Sequence, residues 1–438
     1  MKIRSAKNIT EQMYRRSNKK GLVLITVLWV VVVLMVIVAI LGRKSRLDTK
    51  VCLARMEGLR CKWACRAGIE KAIAVLNEDK VEEDPENGGL SDSLIDLWSN
   101  NDEDFNDIWL ENCRINVMVI DEASKLNINV VTKEQLLGLP YMVEEIADAI
   151  IDWRDNNDTA SGAGVESGYY ESLPFGYMAR NGPFRTIREL LLVKDVTEEL
   201  LYGEDTNFNG RLDYNEQDGD ETPPADDEDT ELDKGWIAYL TCYTPAESQS
   251  NQNQSNQNQS SQNQSNQNQS SQNQSNQNQS SQNQSNQKQS SQNQSNQKQS
   301  SQNQSNQNQS NQNQTNQNSS GQTYAKVNIN TVSEEVLTAL LGGDDTAEQT
   351  AEDIIAYRES LMAGMQSASE LVDAGVVDNN TLNKIVDYLT TRSDVFTIRC
   401  FATADRNGIN GATLQTEAVV DRSSSPYKIL YWYQGASN

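Results

Sequence analysis

A run without a single charge, from Leu22 to Gly42, constrains this chain more than any other stretch. A bilayer core is crossed by a helix of about 20 apolar residues at roughly 1.5 Å each, and this run is long enough. Seven basic residues precede it: Lys2, Arg4, Lys7, Arg15, Arg16, Lys19 and Lys20. Positive charge on that flank holds the N-terminus on the cytoplasmic side, so everything after Arg43 is expected across the membrane. A removable secretory signal fits poorly. Its apolar core is shorter, roughly 7–15 residues, and closes on small residues. This run closes on Ile40-Leu41-Gly42-Arg43-Lys44.

The remaining chain is acidic. Over 438 residues the formal net charge is -25, with no histidine. That balance argues against a nucleic-acid partner, whose phosphates need lysine and arginine. Without histidine, Ser-His and Cys-His mechanisms are excluded, and so is the commonest zinc ligand. Nothing here marks an enzyme. Six cysteines (Cys52, Cys61, Cys65, Cys113, Cys242 and Cys400) are too sparse for a disulfide scaffold. Outside the cytoplasm some can oxidise; buried free thiols fit equally well, and spacing does not pair them.

The apolar run continues without proline to Asn77, with Leu59, Trp63, Ala67, Ile69, Ile73 and Leu76 at helical spacing. One long helix over 22–80 is expected, ended by the acidic stretch Glu78 to Gly89. Ile108 to Ile120 reads as one strand, within a segment 108–123. Phe396–Ala402 and Thr413–Val420 read as late strands, with turn signals at Asn407-Gly408 and Asn410-Gly411. Trp236–Cys242 (within 236–247) and Lys428–Tyr433 are shorter candidates, the late strands together spanning 394–433. Strands bracketing a helical middle imply an α+β fold.

That middle is duplicated. Leu126-Asn127-Ile128-Asn129 parallels Val327-Asn328-Ile329-Asn330, and each copy runs on to a helix ending Ile150-Ile151-Asp152-Trp153-Arg154 or Ile354-Ile355-Ala356-Tyr357-Arg358. Thr186 with Glu189, and Ser367 with Glu370, have capping-box spacing. Two helical domains, 124–230 and 324–392, of a helix-hairpin-helix or SAM-like design follow. Between them, 248–323 is almost wholly Asn, Gln and Ser, and offers nothing apolar to offset the entropy of ordering. A solvated spacer spanning roughly 50 Å on average is expected.

One segment has the spacing of a calcium loop. In Asp205-Thr206-Asn207-Phe208-Asn209-Gly210-Arg211-Leu212-Asp213-Tyr214-Asn215-Glu216, oxygen ligands fall at Asp205, Asn207, Asn209, the Arg211 carbonyl, Asp213 and Glu216. Gly210 permits the turn. The short flanks suit a loop that staples a domain rather than a sensor that opens. A second acidic group, Asp152, Asp155, Asn157, Asp158 and Glu166, flanks a glycine-rich stretch running to Tyr169-Tyr170; a surface loop and a cation site both fit it.

Lys19-Lys20-Gly21-Leu22-Val23-Leu24-Ile25-Thr26 resembles the cleavage site of type IV pilins and pseudopilins, which a prepilin peptidase cuts after the glycine. A plain signal anchor fits the same charges. Further segments join it: Ala67-Gly68-Ile69-Glu70-Lys71-Ala72, Lys125 to Asn129, Ala149 to Asp155, Gly182-Pro183-Phe184 to Val193, and Val327 to Thr331. In motifs and order they resemble the protein K family, the minor pseudopilins of type II secretion. The resemblance implies a leader over 1–21 cut between Gly21 and Leu22, methylation of the new N-terminus, and a transmembrane helix carrying a small antiparallel sheet with two inserted helical domains. It implies an inner-membrane location with the C-terminal domains in the periplasm. It also implies partnership with minor pseudopilins I and J and other pseudopilins, calcium in the first helical domain, and a non-enzymatic place at the pseudopilus tip assisting protein export. Most pseudopilins carry glutamate at the fifth mature position; here that position is Thr26. The Asn/Gln/Ser insert departs from the pattern. The competing reading is a membrane-anchored, calcium-dependent adhesion protein, which an uncut anchor favours.

Overall fold

The computed structural model describes residues 6–82, 91–205, 212, 216–217, 219, 232–248, 323–406 and 408–435. The chain divides into a unit formed by Met1–Thr244 with Lys326–Asn438, and a second unit, Pro245–Ala325.

The first unit begins with helix α1, Ala6–Glu82. From Val23 to Met56 every side chain of α1 is exposed, including those of the uncharged apolar run that ends at Gly42. Its apolar stretch is long enough to cross a membrane. Burial begins where the spacing turns amphipathic. Cys61, Cys65, Ile69, Ala72, Ile73 and Leu76 face inward at helical intervals. In the last turn of the helix Lys80 donates to the Arg422 carbonyl at 2.9 Å, and its charge suits the negative end of the helix dipole.

That buried stripe lies on a five-stranded antiparallel sheet. In spatial order its strands are β1 (Ile108–Leu110), β2 (Cys113–Asp121), β9 (Val395–Asp405), β10 (Asn410–Asp421) and β11 (Lys428–Gly435). Ile115, Val117, Phe396, Ile398, Cys400, Ala418 and Val420 meet the helix in one core, which Trp98 and Phe105 close. Gly68 is required here. A Cβ on it would stand 2.8 Å from Cys400 Sγ and 3.0 Å from Val117 Cγ2.

The strand expected over Ile108–Ile120 is two strands. The chain folds back between Leu110 and Cys113, pairing Ile108 with Ile115, because Glu111 takes a left-handed conformation with φ of 54°. Trp236–Cys242 is also mostly not strand. Trp236–Ala238 form a 3-10 turn and only Leu240–Thr241 (β4) pair, parallel to Leu126–Asn127 (β3).

Both helical segments share a second core. The first carries α2 (Asp102–Phe105) before it, then α3 (Lys133–Leu137), α4 (Glu144–Arg154), α5 (Ser167–Glu171) and α6 (Glu198–Tyr202). The second carries α7 (Glu334–Leu341), α8 (Asp345–Ser360), α9 (Glu370–Asp373) and α10 (Asn379–Ile385). Each opens with a short parallel pair, β3–β4 or Val327–Asn328 (β7) with Leu389–Thr390 (β8). Corresponding residues do corresponding work. Asn129 donates to Phe184 O and accepts its amide, and Asn330 does the same with Met365. Arg154 donates to the carbonyls of Ile128 and Val131, as Arg358 does to those of Ile329 and Val332. Leu136, Ile150 and Leu190 of one copy join Val336, Ile354 and Leu371 of the other in one cluster.

The capping boxes differ from expectation. Thr186 makes no side-chain cap; Ile187–Leu192 is a 3-10 turn, and Glu189 accepts from the Arg185 amide. Glu370 accepts from the Ser367 amide, but the helix follows Ser369, whose side chain makes no cap. A full capping box forms instead at Thr132 and Gln135.

In the second unit, Ala246–Ser248 (β5) pair antiparallel with Thr323–Ala325 (β6). The Asn/Gln/Ser stretch 249–322 lies outside the described residues.

Candidate metal centre

Helix α4 carries three acids down one side, Asp148, Asp152 and, just past its end, Asp155. Residues three and four apart share a helix face, so periodicity alone aligns them. The chain then reverses through a glycine-rich segment. The Ser161 amide donates to both Asp152 oxygens, at 3.0 and 3.1 Å, and the Ala163 amide donates to Asp148 at 2.9 Å. Gly162 (φ +54°) and Gly164 come so close to Asp148 and Asp152 that neither position has room for a Cβ. This tight return delivers Glu166 back onto the helix. Carboxylate oxygens of Asp152, Asp155 and Glu166 all lie within 4.8 Å of one another.

Three acids at that spacing repel. Asp148 is relieved by Lys133 at 2.7 Å, and Asp155 accepts from the Asn157 amide at 3.0 Å. Glu166 has less relief. Both of its carboxylate oxygens are buried without a partner at full hydrogen-bond geometry, and the backbone amide of Thr159 offsets their burial only in part. Burial raises its carboxyl to about 7, and Asp152, Asp155 and Asp158 push the same way. Burial raises Asp152 too, with Asp155 and Asp148 adding to it. Buried, unpartnered carboxylate oxygens are costly. An all-oxygen cluster of this sort fits a hard divalent cation such as calcium, which uses carboxylates and backbone carbonyls together. Asp152, Asp155 and Glu166 would hold it. Asn157, expected in the set, instead donates to Asp155 at 2.7 Å and accepts from the Thr159 amide at 2.8 Å. The approach of Glu166 to Asp152 depends on the Gly162–Gly164 reversal, which no spacing rule exposes.

The loop expected to bind calcium begins after α6. Its base is closed by a bridge between Gly203 and Lys234. Glu204 accepts the Asp233 amide at 3.0 Å, and its own amide donates to Asp233 O at 3.0 Å. Glu216 is buried. Asp205 is half-buried beside this closure. Asn207, Asn209, Arg211 and Asp213 lie outside the described residues. At the other end of the molecule, Gly21 and Leu22 lie within α1, which runs through that position without a break.

The residues that fasten the helical segments to the sheet form two buried polar joints. Glu122 pairs with Lys125 at 3.0 Å and accepts from Thr241 and Thr397. Asp121 accepts from Ser393 and Thr331, each at 2.6 Å, and from Asn328 at 3.1 Å. Arg422 adds ion pairs to Asp79 and Asp92.

Two segments match models of the type II secretion system (T2SS) protein K family, one over residues 114–202 and the other over 327–392. They coincide with the two copies of the duplicated helical design. Among solved structures, a chain of the GspK-GspI-GspJ complex from the type 2 secretion system of enterotoxigenic Escherichia coli is similar. It is 14% identical, with a TM-score of 0.49, over 88% of this chain and 99% of that one. No curated sequence matches this chain.

Proposed function

We propose that this chain, whose two helical segments are those of a type II secretion system protein K, is the minor pseudopilin at the tip of the pseudopilus, where it assists export of folded proteins across the outer membrane. The observation that carries the reading is the union of these segments with an N-terminal helix long and apolar enough to cross a membrane. The basic flank orients that helix, and the sheet and helical domains work in the periplasm. Prepilin peptidase cuts after Gly21, leaving Leu22 first.

The fifth residue from that cut supports the tip position. Thr26 turns its hydroxyl onto its own helix, donating to Val23 O at 2.8 Å. It presents no anion to the amino group of another subunit. Partners below it are minor pseudopilins like those named in the complex above, I and J. No step requires catalysis by this chain. Calcium has a structural role, held at Asp152, Asp155 and Glu166 and in the loop from Asp205 to Glu216.

Mass spectrometry of the membrane-extracted protein tests the central claim. The mature chain should begin at Leu22; an intact Met1 in a host with active prepilin peptidase overturns it and favours the anchored adhesin. Calcium is tested by thermal unfolding of the full chain in detergent. Binding to the folded state alone adds about 2.7 kcal/mol per site at a hundredfold excess over Kd. Glu166→Gln and Glu216→Gln should each remove part of that gain. Identical melting in EDTA and in calcium refutes the metal.

A further inference from the structure

The geometry points to a disulfide between Cys61 and Cys113 that fastens the long helix to the sheet after export. This rests on the reading that residues beyond Arg43 reach an oxidising compartment. The two sulfurs are 4.0 Å apart and buried, one on α1 and the other at the start of β2. A bond of about 2.05 Å asks each sulfur to move by roughly 1 Å. The site can give that much. Cys113 directly follows the β1–β2 turn at the first position of its strand, with Leu110 of a three-residue edge strand on one side and Ala404 of β9 on the other.

The neighbouring thiols are placed differently. Cys65 donates to the Cys400 carbonyl at 3.3 Å and its thiol also faces the Cys400 thiol, but Cys400 sits in the middle of β9, away from any turn. Gly68 packs against it with no slack. Cys52 and Cys242 do not reach the cluster; Cys52 is exposed.

Position gives the bridge its purpose. Counted from the membrane, Cys61 is the first buried apolar residue of α1. Before it, Glu57 ties the helix to the sheet domain through an ion pair with Arg406, at 2.6 Å. A covalent link at Cys61 fixes the rod where it leaves the domain, the point at which a pull along the helix peels it from the sheet. Bond formation removes a proton from each thiol and two electrons from the pair. The electrons reduce the disulfide of a thiol oxidase to two thiols. Burial pushes the Cys61 thiol up to about 12 and raises Cys113 as well. The packed thiols are therefore unreactive, and the bridge closes while the chain is still folding.

Peptide mapping of the full chain from cells tests this. Intact cells are treated with a membrane-impermeant maleimide, quenched in acid, then denatured in N-ethylmaleimide. We expect Cys52 labelled from outside and a Cys61–Cys113 linked peptide. Cys52 labelled but Cys61 and Cys113 recovered as N-ethylmaleimide adducts overturns the bridge and leaves the orientation standing. A Cys65–Cys400 link in its place also overturns it. Cys52 inaccessible with both thiols free removes the orientation and the bridge together. In purified protein, reductant should lower the unfolding temperature by several degrees, and Cys113→Ala should abolish that response. An equal response in Cys113→Ala refutes the assignment.

Discussion

At the residue scale, two arginines turn their guanidinium groups to the backbone. Arg154 and Arg358 each donate to two backbone carbonyls left over where a strand enters a helix. Burial lowers Arg154 to about 10, still charged at neutral pH. Arg154→Met should cost about 2–4 kcal/mol, because two buried carbonyls lose their donor. Arg154→Lys should recover only part, since an ammonium cannot reproduce the planar fork. Urea unfolding measures both, and a Met variant as stable as wild type disproves the role. Asp121 makes a second residue-scale prediction. Burial raises its carboxyl from 3.8 to about 6, against the lowering from its bonds to Ser393, Thr331 and Ala123. The folded chain thus keeps this proton to about pH 6, whereas the unfolded chain releases it near 3.8. The stabilisation is full below the unfolded value and is lost as pH rises through about 6. Asp121→Asn should be less stable by about 1–3 kcal/mol at pH 4, and the gap should narrow by pH 7. A gap that does not change with pH refutes the titration.

At the scale of elements, α1 contains two glycines that should respond oppositely to one substitution. Gly58 has nothing within 4 Å of an added Cβ. Gly58→Ala should therefore stabilise the helix by about 0.5–1 kcal/mol through backbone entropy. Gly68 meets Cys400 Sγ at 2.8 Å and Ile115 at 3.1 Å. Gly68→Ala should cost about 1–3 kcal/mol, overpacking outweighing the gain in propensity. Thermal unfolding of both variants decides it, and matching signs would show that helix propensity, not packing, governs this stretch. The β1–β2 hairpin shows why one strand was expected there. Its turn uses Glu111 in a left-handed conformation, without the Asn-Gly signal that marks such turns.

At the scale of the molecule, the duplicated helical segments fuse rather than sit apart. Gly138 on one copy leaves room for Ala339 on the other, where a Cβ would come within 2.6 Å of the Ala339 Cα. Tyr239 donates to Glu335 across the same junction at 3.2 Å, and Trp236 secures it by donating to Pro140 O at 2.8 Å. The stretch between the copies leaves and returns through one paired strand base, Ala246 opposite Ala325. Deleting Ser250 to Asn318 should shift unfolding by no more than about 1 kcal/mol. A larger loss in denaturant titration would show that the stretch packs on folded structure.

The apolar run, the amphipathic stripe after it, the late strands and the paired Asn-Ile-Asn segments were all legible in the linear order of residues. Each is a local matter of hydrophobic period or of side chains bonding nearby backbone. Three features were not. The distance that brings Glu166 onto Asp152 within the acidic group that the sequence marks, the contact of Cys61 with Cys113, and the need for glycine at 68 and 138 each join residues through a chain reversal or a helix-on-sheet face. Periodicity says which side of an element is apolar, but not which atom of a distant element it meets. Only close packing sets those distances, and the candidate metal cluster and the thiol pair both rest on them.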